Sequence, residues 1–419
     1  MTWHIVNWIA GSILALAWFS RIVEAAFGMP RITDITRPEW DLGPSDGEPR
    51  VTIIVPARNE QEHIRETLTR LLALEYSNYE IIAVNDRSTD RTGQIMDEVS
   101  CGADTLVRVP AVPARQAEAD RSVRPTRADR SVCPTRLKVI HISELPPGWL
   151  GKTHAMWTAG QQAIGDWLLF TDADVLFKPD SLRRAIAYAE AERADHVVLF
   201  PRMIMKRPGE RMMIAFFQAL FVFGHRPWKV ADPDARDHMG VGAFNLVRRT
   251  VYDAVGTYRA LRLEVLDDMK LGKVVKNAGF AQRNVFGEDL ISLRWAEGAF
   301  GVVNNLTKNF FAVLSFQWWR TLGSVAGLGF LNLGPFLGVW LAHGWVRVPY
   351  GVALGSIFAI YCGMSARSAV PPYYFFLHPI STSLFIYTLL RSMFVTIRND
   401  GIVWRGTKYA LEELRNGRV

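Results

Sequence analysis

Long stretches without formal charge at both ends of the chain restrict its fold more than any other feature. Residues 1–20 carry no formally charged residue. Beyond residue 320, the stretches 321–342, 348–366 and 373–397 contain only one arginine between them. A helix needs about 20 mostly apolar residues to cross a bilayer. The sequence therefore predicts a membrane protein with four candidate spans, rather than a soluble protein with buried core helices.

The first apolar stretch is interpreted as an uncleaved membrane anchor over residues 1–27. A cleaved signal peptide is the alternative, but it would start with basic residues, and positions 1–9 contain neither Lys nor Arg. Arg21, Arg31 and Arg37 follow its uncharged part, residues 1–20. The positive-inside rule then predicts that the domain after the anchor is cytoplasmic, in a multi-pass protein of the inner cell membrane.

The C-terminal stretches leave the side of the tail open. Residues 311–397 are expected to form interfacial and transmembrane helices, because Trp318 and Trp319 suit a membrane interface. Three complete crossings would place the tail, residues 398–419, outside the cytoplasm although it is basic. One stretch is therefore expected to be re-entrant or interfacial. The last stretch is the weakest spanning candidate because prolines flank its start.

Between the apolar ends, short β-branched runs alternate with helical periodicity. VTIIV, YEIIAV, LKVIHI, WLLF and HVVLF are the strand-like runs. This alternation predicts an α/β domain over residues 50–310, with a mostly parallel sheet that carries helices on both faces. Ligands of such sheets bind at the carboxyl ends of the strands. Three scattered cysteines are too few for a disulfide framework.

Residues 110–136 interrupt this pattern. ADRSVRPT recurs there as ADRSVCPT, in a stretch rich in Arg, Asp, Ser and Pro. We expect a disordered insertion, because so few apolar residues cannot form a core. A nucleic-acid-binding arm is disfavoured, since acidic residues dilute its charge and it has no aromatic residue for stacking. The net charge of +7 suits phosphates and anionic headgroups, and no nucleic-acid partner is expected.

Polar residues follow the first two strand-like runs. In VTIIVPARNE, Pro56 is expected to stop the strand and to expose Arg58 and Glu60 at the edge of the sheet. Asn59 can at the same time cap the next helix. In IIAVNDRSTD, Asp86 lies in a turn beyond the strand, where it could accept hydrogen bonds from uracil or ribose.

An acidic pair follows the fourth run. In WLLFTDADVLF, Asp172 and Asp174 are two positions apart at a strand end. Carboxylate oxygens so placed suit Mg²⁺ or Mn²⁺ bound to a diphosphate. A single Asp-x-Asp is more often an ordinary turn, so this prediction depends on the motifs before it.

The three motifs, in this order and each after a strand, resemble the family-2 glycosyltransferases of the GT-A fold. The resemblance implies that Glu60 and Asp86 hold the nucleoside. It also implies that Asp172 and Asp174 contact the sugar or ribose and the metal. Many relatives have Asp-Asp where this chain has Asn85-Asp86, so only Asp86 is carried over.

Two further stretches fit the resemblance. Lys152 in GWLGKTHAMW matches a lysine that approaches the nucleotide phosphates in relatives, although a surface lysine at a helix start is the alternative. EVLDDMKLGK aligns Asp267 and Asp268 with the acidic pair of the family, in which Asp268 matches the catalytic base. In isolation, such a pair is more often a solvated first turn of a helix.

On the acceptor side, HMGVGAFNLVRR contains Gly240 and Gly242, which would let the backbone approach the acceptor. ISLRW keeps Arg294 and Trp295 of the Gln-x-x-Arg-Trp motif of processive polysaccharide synthases, but Ile291 replaces the Gln. That departure disfavours a polymerase. The layout of one anchor, a catalytic domain, TKNFFA after that domain and WRGTKY near the C-terminus resembles ceramide glucosyltransferase-like and hopanoid- or carotenoid-associated enzymes.

The resemblance implies a metal-dependent inverting glycosyltransferase that uses Mg²⁺ or Mn²⁺. It would move a sugar from a nucleotide-sugar, expected to be a UDP-sugar, to a membrane lipid or isoprenoid-type acceptor. A processive polysaccharide synthase, a transporter and a non-catalytic membrane scaffold are the alternatives. A transporter would need more polar residues within its spans. Dinucleotide and P-loop enzymes lack support, because neither glycine motif follows the first strand.

Overall fold

The computed structural model describes residues 2–43, 47–106, 136–368 and 370–417. The predicted insertion lies outside these residues apart from Arg136. The strands are β1 (Val51–Ala57), β2 (Tyr79–Asp86), β3 (Leu137–Ile142), β4 (Trp167–Phe170), β5 (Leu176–Phe177), β6 (His196–Phe200), β7 (Arg202–Met203), β8 (Asn245–Arg248), β9 (Gln282–Phe286), β10 (Ile291–Leu293), β11 (Gly401–Trp404) and β12 (Thr407–Ala410).

Helices precede, cover and follow these strands. They are α1 (Thr2–Gly28), α2 (Ile64–Leu72), α3 (Thr92–Leu106), α4 (Gly151–Gln162), α5 (Ser181–Ala191), α6 (Pro208–Gly224), α7 (Arg249–Ala254), α8 (Thr257–Ala260), α9 (Asp267–Asn277), α10 (Gly298–Val313), α11 (Trp318–Leu328), α12 (Gly334–Leu341), α13 (Arg347–Ser365), α14 (His378–Arg398) and α15 (Leu411–Asn416).

The main sheet of the described residues runs in the order β3-β2-β1-β4-β8-β6-β9. Strands β3, β2, β1 and β4 are parallel to one another, and β8 is antiparallel to both of its neighbours. Every residue of β1 is buried. Ile53 and Val55 enter the core on one face of the sheet, and Ile54 enters the core on the other. These features confirm the predicted α/β class.

Two local predictions at the end of β1 are wrong. The strand continues through Pro56 to Ala57, because pairing with β4 ends at Ile54 and Pro56 lies where one side of β1 is unpaired. Asn59 does not cap α2, which begins at Ile64 without a side-chain cap. Its Oδ1 instead accepts a hydrogen bond of 2.8 Å from the N–H of Thr89, which ties the loops after β1 and β2 together.

Four helical segments of the described residues are long and apolar enough to cross a membrane. They are Trp3–Arg31, Trp318–Leu341, Gly344–Ser365 and Pro372–Arg398. The second contains α11, a π-helical turn and α12. Large apolar side chains point outward from these segments, and Trp340 is 82% exposed. Such exposure is unfavourable in water and indicates contact with a bilayer.

The C-terminal tail folds back onto the sheet domain. Arg58 donates a hydrogen bond of 2.9 Å to Oγ1 of Thr407, and the N–H of Gly151 donates one of 3.1 Å to the hydroxyl of Tyr409. The tail and the sheet domain therefore lie on the same side of any bilayer that the helices cross. Three complete crossings between them are incompatible with these contacts.

Candidate active site

The carboxyl ends of β1, β2 and β4 lie side by side because these strands are neighbours and parallel. They border one large cavity of about 1610 Å³. The cavity is lined by nearly all of the predicted site residues: Pro56, Arg58, Glu60, Asp86, Lys152, Asp172, Asp174, Gly240, Gly242, Asp267, Asp268 and Trp295.

Lys152 joins the two acidic pairs. Its Nζ lies 2.8 Å from Oδ1 of Asp172 and 3.5 Å from Oδ1 of Asp267. Burial opposes the charge of this ammonium group, but Asp172, Asp267 and Asp268 outweigh burial and raise the pKa of Lys152. Burial likewise opposes ionisation of Asp172, and the neighbouring Lys152 nevertheless lowers the pKa of that carboxyl. A partly buried lysine that remains protonated therefore lies between the pairs.

The second acidic pair begins α9. Burial raises the pKa of Asp267 to about 7. The positive charge of Lys152 opposes this rise, and the negative charge of Asp268 adds to it. Burial also raises the pKa of Asp268, again against Lys152. Oδ1 of Asp268 accepts a hydrogen bond of 2.7 Å from the N–H of Met269. A carboxylate with a raised pKa is a stronger base than an exposed one, which suits proton abstraction near neutral pH.

Asp86 is the last residue of β2 and pairs with β3, so the prediction that it lies in a turn beyond the strand is wrong. The side chain of Arg87 donates to its two oxygens, over 2.8 Å from Nε and 3.1 Å from Nη2. Gly151 faces the same carboxylate, and a Cβ at that position would lie 2.3 Å from Oδ2 of Asp86. Only glycine lets the start of α4 approach this carboxylate so closely.

Asp174 suits a bound cation. Burial, together with the charges of Asp172 and Glu60, raises the pKa of Asp174 to about 6. Buried carboxylates that repel one another are the oxygen ligands that Mg²⁺ and Mn²⁺ take in proteins. Within the described ranges, no three His, Cys, Asp or Glu side chains converge as a closed metal site. The Asp172 and Asp174 pair therefore fits an ion that shares its coordination with a ligand.

Gly240 and Gly242 lie against the acidic residues as well as lining the cavity. A Cβ on Gly242 would lie 2.4 Å from Oδ2 of Asp172, and one on Gly240 would lie 1.9 Å from the carbonyl oxygen of Asp268. The carbonyl oxygen of Gly242 also accepts a hydrogen bond of 3.0 Å from the backbone N–H of Asp172. These glycines are therefore required for close packing around both acidic pairs.

A family model described as "Glycosyl transferase family 2" matches residues 52–113 and 119–268. The matched ranges make up half of the chain and include both acidic pairs and Lys152. The chain belongs to glycosyl transferase family 2. It is a glycosyltransferase, and the predicted family is confirmed.

Two staphylococcal enzymes are similar to this glycosyltransferase. The 4,4'-diaponeurosporenoate glycosyltransferase of Staphylococcus aureus (strain USA300) is 22% identical over 385 residues, which cover 87% of this chain and 89% of that protein. The enzyme of the same name from Staphylococcus haemolyticus (strain JCSC1435) is 20% identical over 254 residues. That match covers 60% of this chain and 58% of the S. haemolyticus protein, less than two thirds of its length.

Among solved structures, the glycosyltransferase is similar to the mannosyltransferase PcManGT from Pyrobaculum calidifontis in complex with GDP-Man and Mn²⁺. The TM-score is 0.46 and the sequence identity is 17%. The match covers 93% of this chain and 98% of that one.

Arg294 lies apart from the predicted acceptor side of the glycosyltransferase. It does not line the cavity, unlike the neighbouring Trp295. Its guanidinium lies 2.8 Å from Oε1 of the fully buried Glu210, which also accepts the N–H of Gly298 over 3.0 Å. Arg294 therefore stabilises the starts of α6 and α10, because an unpaired buried glutamate would be costly.

Sequence reasoning missed the contribution of the C-terminal hairpin β11–β12 to the cavity. Trp404, Arg405 and Tyr409 line it, together with Lys308 of α10. Arg405 forms an ion pair with Glu60, and its guanidinium also donates to the carbonyl oxygen of Arg58. The mixture of aromatic and basic residues in WRGTKY was the available signal, but basic residues after an apolar helix are also typical of positive-inside flanks.

A second part of the cavity is mostly apolar and extends along the candidate membrane helices. Its walls come from α1, α6, α11, α13 and α14. They include Ile22, Ala25, Phe217, Leu220, Leu328, Ile360, Met364 and Phe385. The acidic site and the apolar walls are thus two parts of one continuous cavity.

Proposed function

We propose that this glycosyltransferase transfers a sugar, with inversion, from a nucleoside diphosphate-sugar to a membrane lipid or isoprenoid-type acceptor. The continuity of the acidic site with an apolar cavity between candidate membrane helices carries this proposal. A water-soluble acceptor would gain nothing from those walls, whereas a lipid would bury its chain there. The S. aureus relative is named for a carotenoid-type acceptor, which supports the same class. A UDP-sugar is the expected donor by family analogy.

The donor would lie at the strand ends. The rigid carboxylate of Asp86 is suited to accept hydrogen bonds from the nucleoside, and Lys152 is suited to stabilise the departing diphosphate. Asp172 and Asp174 would hold Mg²⁺ or Mn²⁺. When bound, that ion supplies Lewis-acid stabilisation of charge on the leaving group.

Asp268 would act as the general base. Its carboxylate takes the proton of the acceptor hydroxyl, while the hydroxyl oxygen forms a bond to the anomeric carbon of the sugar. The bond between that carbon and the diphosphate oxygen breaks in the same step, and the nucleoside diphosphate leaves. One displacement reverses the configuration of the anomeric carbon, so an α-linked donor would give a β-glycoside.

The proposed location is the inner cell membrane, with the sheet domain in the cytoplasm. Arg21, Arg31 and Arg37, on the C-terminal side of the uncharged residues 1–20, support this orientation. Cytoplasmic nucleotide-sugars would then reach the strand ends directly. The lipid acceptor would enter from the bilayer along the apolar walls.

Mass spectrometry tests the proposal most directly. Detergent-purified full-length protein is incubated with Mn²⁺, a panel of UDP- and GDP-sugars, and either a membrane lipid extract or water-soluble acceptors. We expect one nucleotide-sugar to give a glycosylated lipid, with no such product from the Asp268→Asn variant. Transfer to water-soluble acceptors alone, or formation of a polymer ladder, would contradict the proposed acceptor class.

A further inference from the structure

Arg405 occupies an unfavourable backbone position in the C-terminal hairpin. It and Gly406 form the two-residue loop between β11 and β12, with φ of 46° and 79°. Both residues therefore have the left-handed conformation of a type I′ turn, whose first position strongly favours asparagine, aspartate or glycine. An arginine there is disfavoured by its Cβ. The turn itself therefore does not explain why this position holds an arginine.

Two residues of β12 fix the hairpin at the donor end of the cavity. Thr407 accepts the hydrogen bond from Arg58, and the hydroxyl of Tyr409 accepts the N–H of Gly151. Gly151 precedes Lys152 and faces Asp86, so this contact ties β12 to the start of the helix that carries the proposed phosphate-binding lysine. Arg405, in the loop directly before β12, forms its ion pair with Glu60.

Cationic groups from three distant parts of the chain converge here. They are Lys152, Lys308 and Arg405. The Nζ of Lys308 lies 4.1 Å from the centre of the Trp404 ring. Burial, reinforced by the charges of Lys152 and Arg405, lowers the pKa of Lys308 to about 8. The ammonium of Lys308 therefore lies where an additional negative charge would be favourable.

We propose that the hairpin β11–β12 is part of the donor site and that Arg405 binds the diphosphate of the nucleotide-sugar. The proposal rests on the proposed function of this cavity. The guanidinium fork suits two phosphate oxygens, and it would exchange the carboxylate of Glu60 for the phosphate when the donor binds. Lys308, whose ammonium lies against the ring of Trp404, would support the same charge.

Nucleotide binding to the full-length, detergent-purified protein tests the role of Arg405. Affinities for UDP, GDP and uridine are measured in the presence of Mn²⁺ for the wild type, Arg405→Asn and Arg405→Lys. Asparagine suits the turn, so the unfolding temperature of Arg405→Asn is expected to equal or exceed that of the wild type. Its affinity for the diphosphate is expected to fall about tenfold or more, because a charged hydrogen bond is lost.

The affinity of Arg405→Asn for uridine is expected to equal that of the wild type, because uridine has no phosphate. Arg405→Lys keeps the charge but not the fork, and is expected to lie between the wild type and Arg405→Asn. Lys408→Asn is the matched control. Lys408 is exposed on the same hairpin and does not line the cavity, so its loss of one positive charge should leave diphosphate affinity unchanged.

The possible results separate this inference from the function on which it rests. Wild-type protein that binds neither UDP nor GDP would overturn the proposed function and this inference with it. Wild-type binding together with unchanged diphosphate affinity in both Arg405 variants would overturn this inference alone. Equal losses of uridine and diphosphate affinity would also overturn it, since Arg405 would then shape the nucleoside pocket.

Discussion

The ammonium of Lys152 lies between Asp172 and Asp267, 2.8 Å from the first carboxylate and 3.5 Å from the second. Lys152 lies in the first turn of α4, Asp172 lies just after β4, and Asp267 is the first residue of α9. The lysine therefore couples the proposed donor side to the acidic pair that contains the proposed base. A change at this one position is expected to affect both.

Replacing Lys152 by glutamine tests that coupling. Lys152→Gln removes the cation that would stabilise the leaving diphosphate, so kcat is expected to fall about a hundredfold or more. The unfolding temperature should also fall, because the buried carboxylate of Asp267 loses a cationic neighbour. Glycolipid formation and thermal unfolding are the measurements. Lys138→Gln, at an exposed position of β3, is the control, and a kcat of Lys152→Gln equal to that of this control would contradict the prediction.

Asp268→Asn separates chemistry from binding. The amide cannot accept the proton of the acceptor, so kcat is expected to fall about a hundredfold or more while donor affinity changes little. NMR of the wild-type product should show the inverted anomer. Near-normal turnover in the variant, or a product with retained anomeric configuration, would contradict the assignment of Asp268 as the base.

The pH dependence of kcat follows from the buried acidic pair. A base is active when deprotonated, and burial raises the pKa of Asp268 as well as that of Asp267, the latter to about 7. Activity is therefore expected to fall as the pH drops through these raised values, well above the ordinary carboxyl value of about 4. The measurement is kcat at saturating donor, with each sample also returned to neutral pH to exclude unfolding. An acidic limb near 4 would contradict the expectation.

Metal binding is expected to depend on Asp174. Chelation should abolish transfer, and Mg²⁺ or Mn²⁺ should restore it. Asp174→Asn removes one anionic ligand, so Mn²⁺ affinity in the presence of a nucleoside diphosphate, measured by electron paramagnetic resonance, should fall about tenfold or more. Asp97→Asn, which removes an exposed carboxylate of α3, is the control. Full activity in excess chelator would contradict this prediction.

The contacts of the tail predict the membrane topology. Single cysteines at Lys138, His343 and Lys408, all exposed positions, are introduced after replacing the native cysteines by serine. Lys138 lies in the sheet domain and Lys408 in the tail, so both should react with an impermeant maleimide only after the membrane is opened. His343, between α12 and α13, should react in intact cells. Labelling of the Lys408 site in intact cells would contradict this topology.

The sequence alone was enough to predict the sheet and the residues at its edge. Strand and helix periodicities are local, and the carboxyl ends of neighbouring parallel strands necessarily share one edge. Asp86, Asp172 and Asp174 could therefore be placed together before any contact was known. The family resemblance added Lys152 and the pair at Asp267 and Asp268, and the structure brings all six to one cavity.

Other features required the tertiary structure. Arg405 and Glu60 are separated by 345 positions, and their ion pair depends on how the membrane helices return the tail to the sheet. Arg294 matched a motif, but its ion pair with the buried Glu210 gives it a structural role that no local pattern encodes. Periodicity reports which face of an element is apolar and leaves open which distant element covers that face. The sequence therefore determined the α/β sheet and its acidic edge, whereas the tertiary structure decided that the tail completes the cavity.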